Sequence, residues 1–364
     1  MRASRCLRTH EGGLALTAEN AVSWFADLRI TDRPTVGGKG ASLGELIFAG
    51  IDVPPGFVVT THAFELFLKA LEQASPVRAL IEPLDPNDLG AVTAVSRALR
   101  KRVEQEPLPQ TVERAILDAY RQLTGGSASK PVAVRSSATT EDAEDASFAG
   151  LQDTFLWVLD AQDTVHRVRE CWGSLYSVES IVYRRKHGLP EDGVAMAVVV
   201  QLMVDARTAG VMFTRSPTTG DKSVMTIEGA WGLGSAVVSG EVTPDRWVMG
   251  KITGEISVRD ISDKHIRQVP APGGGIVDED LPDDMRLKPC LSDEELQALR
   301  TVGRRIEKHY GRAQDIEWAM DKDGKLLLLQ SRPETVWSAK DVKPVTAPVA
   351  DPLKHVMTIF GGRK

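Results

Sequence analysis

Four side chains near the C-terminal end have the chemistry to hold a metal-bound polyphosphate. In DIEWAMDKDGKLLLLQSRP, Asp315 to Pro333, the acids Asp315 and Glu317, the amide Gln330 and the cation Arg332 interrupt runs of Ile, Trp and Leu. Carboxylate and amide oxygens are hard ligands of the kind Mg2+ takes, and that ion commonly divides its coordination between protein and substrate phosphates. A guanidinium adds charge-assisted hydrogen bonds to phosphate oxygens. The alternative is an exposed sheet face carrying two ion pairs.

Two strands must bring these residues together. Asp323–Gly324 is a hairpin signal. If those two residues form the loop, Lys322 pairs with Lys325, Glu317 with Gln330, and Asp315 with Arg332. Side chains alternate along a strand. All four polar residues then share one face, and Ile316, Trp318 and Leu329 take the other. A slip of one residue would destroy the arrangement.

Three other stretches carry phosphate-type chemistry. In VGGKGASLGEL (Val36 to Leu46), Lys39 lies among Gly37, Gly38 and Gly40 ahead of a helix-like run, where backbone and helix start favour anions. It is not a Walker A loop, since Gly40 rather than Ser or Thr follows the lysine. A Gly-rich turn with a surface lysine is an equal reading. In VAVRSSATTEDAEDASFAG (Val132 to Gly150) a strand delivers Arg135 to a loop opened by Ser136, Ser137, Thr139 and Thr140, suited to closing over phosphates. The acids Glu141, Asp142, Glu144 and Asp145 make a solvated loop the competing reading. In EGAWGLGSAVVSGEVTPDRW (Glu228 to Trp247) the glycines suggest close packing around a cleft that Glu228 could face. No G-x-G-x-x-G stands in a βαβ setting there, so a dinucleotide fold is not supported.

The 364 residues suggest two or three folding units, and a hydrophobic content of 42% supports sizeable cores. A net charge of −6 without a long basic run speaks against nucleic acid, and no apolar run approaches membrane-spanning length. Cys6, Cys171 and Cys290 lie far apart, which suits a reducing, cytoplasmic setting. Arg2, Arg5 and Arg8 precede no long amphipathic stretch and read as a frayed tail rather than a transit peptide.

Periodicity predicts helices over Ala63–Gln73, Asp88–Val103, Pro109–Leu123 and, as one long element, Gln162–His187. Ser292 with Glu295 forms a capping box for a last helix that Gly311 ends. Strands are expected over Gly56–Thr61, Val132–Arg135 and Asp153–Leu159. Others follow over Val194–Val204, Gly210–Thr214, Val224–Glu228 and Arg246–Met249. The class is α+β with two lobes: a tail over 1–20, a first lobe over 21–190, a second over 191–335 and a linker-like tail over 336–364.

Together and in order, VGGKGASLGEL, VPPGFVVTTHAF, VAVRSSATTEDAEDASFAGLQDTFL, GVMFTRSPTTG, EGAWGLG with GEVTPDRW, and DIEWAMD with LLLLQSRP resemble the nucleotide-binding part of the phosphoenolpyruvate synthase and pyruvate phosphate dikinase family. The resemblance spans Val36 to Pro333. It implies an ATP-grasp fold with ATP between two lobes. It also implies that Lys39 and Arg135 bind the phosphates, that Gln201 and Met203 hold the adenine mostly through backbone groups, and that Glu228 sits near the ribose. Glu317 and Gln330 would hold Mg2+, or Mn2+ in its place, with Asp315 in support. Arg332 would meet the transferring phosphoryl group, and Ser136 to Thr140 would cover the phosphates.

In this family the phosphoryl group passes to a histidine on a separate domain, in a Thr-Ser-His setting. None of His10, His62, His166, His187, His265, His309 or His355 has it. The resemblance therefore implies a partner carrying the phosphohistidine and the acceptor-binding domain. The chain resembles either an excised domain or a natural subunit, and the stand-alone ATP-binding subunit of phenylphosphate synthase, which activates phenol, is the favoured expectation. A carboxylate ligase forming ADP and a nucleotide-sensing subunit are the competing classes.

Overall fold

The computed structural model describes residues 20–335, apart from 74, 128–129, 140–141, 144–145 and 148–152, together with residue 337. The chain begins with β1 (Val22–Trp24), α1 (Arg33–Phe48) and β2 (Gly56–Val59), then α2 (Thr61–Leu71), α3 (Arg78–Ile81), α4 (Leu89–Gln105) and α5 (Gln110–Thr124). It continues through β3 (Val132–Ala138), the two short strands β4 (Asp142–Ala143) and β5 (Ala146–Ser147), β6 (Thr154–Val158), α6 (Ala161–Ser174), α7 (Val178–Lys186) and β7 (Met196–Leu202).

Five of these strands form an antiparallel sheet in the order β1-β2-β7-β3-β6. Central β7 is buried from Met196 to Gln201 because both faces of the sheet are covered. Val198 and Val200 join Phe64, Phe67, Val168 and Trp172 in the larger core. Ala197 and Val199 meet Val36, Ala41 and Leu43 of α1 on the other side.

The second lobe holds β8 (Ala206–Phe213), β9 (Val224–Trp231), α8 (Ser235–Ser239), β10 (Asp245–Gly250), β11 (Ile256–Asp260), β12 (Ile266–Pro270) and β13 (Ile276–Asp280). It ends with α9 (Asp283–Arg286), α10 (Asp293–Tyr310), β14 (Gln314–Asp321) and β15 (Leu326–Pro333). Its six-stranded sheet has the order β11-β10-β9-β8-β14-β15. One face is packed by α10 through Leu296, Leu299 and Ile306, against Met212, Ile227, Trp247 and Trp318. The other face is turned towards the first lobe.

The chain passes from one sheet to the other between Leu202 and Ala206. The expected divide at 190/191 falls ahead of β7, whose hydrogen-bonding partners are β2 and β3 of the first sheet. The expected long helix over Gln162–His187 is two helices. Ser177 adopts an extended backbone and its hydroxyl accepts the Ser180 N–H, so an N-cap interrupts an otherwise continuous amphipathic pattern. The capping box at Ser292 and Glu295 and the left-handed Gly311 end-cap are both present.

A fully buried ion pair pins the second lobe. Lys264 Nζ donates to Asp245 Oδ1 at 2.5 Å, and both side chains are solvent-free. Asp245 also accepts the N–H groups of Ser262 and Cys290. No helix among the described residues is long and apolar enough to cross a membrane.

Candidate functional site

The hairpin β14–β15 places its polar residues by two irregularities that cancel. Asp315 pairs with Arg332 and Glu317 with Gln330, as the alternation requires. The loop, however, is longer than the expected Asp323–Gly324. The Asp321 N–H donates to the Lys325 carbonyl, leaving Lys322, Asp323 and Gly324 in the turn, with Gly324 at φ 82°. Met320 therefore pairs with Leu326 and Trp318 with Leu328. A bulge between Glu317 and Trp318 absorbs the extra residue and restores the register at the site. Leu329 corrects the expectation: it lines the cleft, while Leu328 takes the buried face with Trp318.

Arg135 reaches this hairpin from the other lobe. Its Nη2 donates to Glu317 Oε2 and to Gln330 Oε1, both at 2.9 Å, and its Nη1 donates to the Leu329 carbonyl at 3.2 Å. The expected phosphate cation and the two expected metal ligands thus meet at one point. Arg332 Nε donates to Asp315 Oδ2 at 2.8 Å one step along the hairpin. Burial pushes the Asp315 carboxyl up from its ordinary range, with the charge of Arg332 opposing the rise.

Not every expected residue converges. Ser136 and Ser137 belong to β3 rather than to a covering loop. The Ser136 hydroxyl donates to the Asp153 carbonyl, on the face opposite Arg135. Thr139 lines a separate cavity with Arg184 and Met196. Thr140 and most of the following acidic stretch lie outside the described residues. Lys39 stands half-buried near the start of α1, where its charge opposes the burial-driven rise of the Cys171 thiol.

A cavity of about 410 Å3 lies between the lobes. Arg135 and Glu317 mark one end, and Gln201 and Met203 line the crossing between sheets. The N–H groups of Leu202 and Met203 already donate to the carbonyls of Pro55 and Pro131, both at 2.9 Å. Glu228 lies on the cleft-facing side of the sheet, opposite Val211, which in turn is opposite Glu317. Burial raises its carboxyl, offset in part by Arg246.

The sequence gives no sign of Leu156 and Trp157. Trp157 has a left-handed backbone, φ 58°, at a bulge in the β3–β6 pairing. The bulge leaves Phe155 and Val158 in the first core while Leu156 lines the cavity. Trp157 packs with Val204, Ala209 and Leu233 of the cleft, and its carbonyl accepts the Gly275 N–H at 3.1 Å. A non-glycine residue held at positive φ has no signature in residue type.

The donor set fits a divalent cation of the phosphate-sharing kind. Two side-chain oxygens, one charged, already converge on a single cationic nitrogen of Arg135. No group of three His, Cys, Asp or Glu residues among the described residues could form an all-protein cage. Mg2+ ordinarily uses one or two protein oxygens and completes its shell with water and substrate phosphate.

Comparison with known proteins shows the family. The family described as pyruvate phosphate dikinase, AMP/ATP-binding domain, matches residues 33–351. A probable phosphoenolpyruvate synthase of Methanothermobacter thermautotrophicus is 44% identical over 316 residues, covering 86% of this chain and 46% of that protein. The corresponding figures for a probable phosphoenolpyruvate synthase of Methanocaldococcus jannaschii are 43%, 86% and 26%. A phosphoenolpyruvate synthase of Pyrococcus furiosus is 37% identical over 382 residues, covering 94% of this chain and 46% of that protein. The chain thus spans less than half the length of each. A solved ADP complex of N5-carboxyaminoimidazole ribonucleotide synthetase covers 72% of the chain at 9% identity with a TM-score of 0.26, too loose a superposition to carry weight. With its cross-cleft cluster of Arg135, Glu317 and Gln330, the chain belongs to the family of the pyruvate phosphate dikinase AMP/ATP-binding domain and has the ATP-grasp fold.

Proposed function

We propose that this chain is the ATP-binding, phosphoryl-transferring part of a phosphoenolpyruvate synthase-like dikinase. The observation that carries the reading is the meeting of Arg135 with Glu317 and Gln330 across the cleft. ATP lies between the lobes with its base at the crossing near Gln201 and Met203 and its phosphates towards Arg135, Lys39 and Arg332. Glu317 and Gln330 hold Mg2+, which when bound neutralises phosphate charge; Asp315 sets the position of Arg332.

A histidine from a phosphohistidine domain, on a partner chain or elsewhere in a longer protein, attacks the β-phosphorus. The bond from that phosphorus to the oxygen bridging to the α-phosphate breaks, and AMP leaves. Hydrolysis then releases phosphate and leaves phosphohistidine. The work of this chain is alignment and stabilisation of developing charge. Since the relatives are named phosphoenolpyruvate synthases, we take pyruvate as the final acceptor in preference to phenol. The setting is cytoplasmic, in keeping with the free, buried Cys171 and Cys290.

The test is to mix the chain with a phosphohistidine domain, Mg2+ and ATP, and to identify the nucleotide released. AMP with a phosphorylated histidine supports the reading, and ADP as the sole product ends it.

A further inference from the structure

The helix start that carries Lys39 is held by a residue of the strand that carries Arg135. Within α1 the backbone breaks at Gly37, φ 70° and ψ 177°, and the helix proper starts after it. Gly37 therefore stands where an N-cap residue stands, and Gly40 is the third residue of the helix. An N-cap side chain ordinarily accepts the N–H of that third residue. Gly37 has no side chain to do so, and a Cβ there would overlap the carbonyl oxygen and hydroxyl of Ser137.

Ser137 does the capping from outside the helix. Its hydroxyl accepts the Gly40 N–H at 3.2 Å and donates to the Val36 carbonyl at 2.9 Å. It is fully buried. Ser137 is two residues beyond Arg135 on β3, hence on the same face. One hydroxyl thus bridges both sides of the break at Gly37 and ties them to the strand of the cross-cleft cation.

We propose that Ser137 is a positioning residue for nucleotide phosphates: it supplies the cap Gly37 lacks and so keeps Lys39 in register with Arg135. The inference rests on the proposed ATP-binding function. It assigns Ser137 no contact with the ligand. Its effect is confined to the alignment of two cations, so loss of the hydroxyl weakens recognition of the triphosphate and spares the nucleoside.

Calorimetric titration of the chain with ATP and with adenosine tests this, using Ser137→Ala and the nearly isosteric Ser137→Cys, which keeps the volume but is a weak donor. Each folded variant should bind ATP about ten-fold more weakly while adenosine affinity stays within about two-fold. A structural role alone would weaken both ligands together. An unchanged ratio of ATP to adenosine affinity in a folded variant overturns the proposal. A wild-type chain with no preference for ATP over adenosine instead overturns the proposed function, and this inference with it.

Discussion

Arg135 Nη2 lies 2.9 Å from Glu317 Oε2, and the bond joins β3 of the first sheet to β14 of the second. The two side chains are only 13% and 21% exposed, so the pair is not a solvent-screened surface contact. Replacing Arg135 by Met removes the proposed phosphate donor and leaves the Glu317 carboxylate without this partner. Charge-assisted hydrogen bonds contribute about 1.5–3 kcal/mol, so ATP affinity measured by calorimetry should fall about 10- to 100-fold. An undiminished affinity would remove Arg135 from the phosphate site.

Glu317→Gln keeps the shape of the side chain and removes its charge. If Glu317 and Gln330 share a cation with the phosphates, wild-type ATP binding should weaken when Mg2+ is withdrawn with a chelator. The variant should show little difference between the two conditions. A variant that keeps the full Mg2+ dependence would place the metal elsewhere.

Asp315 predicts a pH effect with a definite sign. Burial raises its folded carboxyl above the ordinary 3.8, more than Arg332 lowers it. From that ordinary value up to the raised one, the folded chain holds more proton than the unfolded chain. Its contribution to stability is therefore full at lower pH and is lost as pH rises through the folded value. Asp315→Asn removes this contribution. Its urea midpoint should fall less steeply than that of the wild type as pH is raised from about 4. Parallel curves would contradict the assignment.

Lys264→Met would leave the buried Asp245 carboxylate without its cation, with the Ser262 and Cys290 N–H groups still donating to it. Breaking a buried pair from one side typically costs about 3–5 kcal/mol. Urea unfolding should show a loss of that order. A change below about 1 kcal/mol would mean that the pair is accessible to water.

Local patterns made much of the architecture legible. The capping box at Ser292 and the glycine at 311 set the ends of α10, and apolar runs marked β3, β7 and β9. Elements such as β12 and β13 went unseen, because exposed strands such as Ile276–Asp280 carry no alternation of apolar and polar residues. The pairings of Asp315 with Arg332 and Glu317 with Gln330 were read correctly from a two-residue loop that does not form. A longer turn and a compensating bulge produce the same pairs, and nothing in a run of four leucines says which one bulges.

By itself the sequence determined which chemical groups this chain owns and in what order: a glycine-flanked lysine, an arginine on a strand, though not its place at mid-strand rather than at the end, and two acids, an amide and an arginine on one hairpin. Those are properties of residue type and short-range alternation. Tertiary structure alone decided that Arg135 touches Glu317 and Gln330, that Ser136 turns away while Ser137 caps α1, and that Leu156 lines the cleft while Trp157 packs with Val204 and Leu233. Each depends on the packing of one lobe against another or on a bulge. Such choices are made by contacts between residues far apart in the chain, which no local pattern encodes.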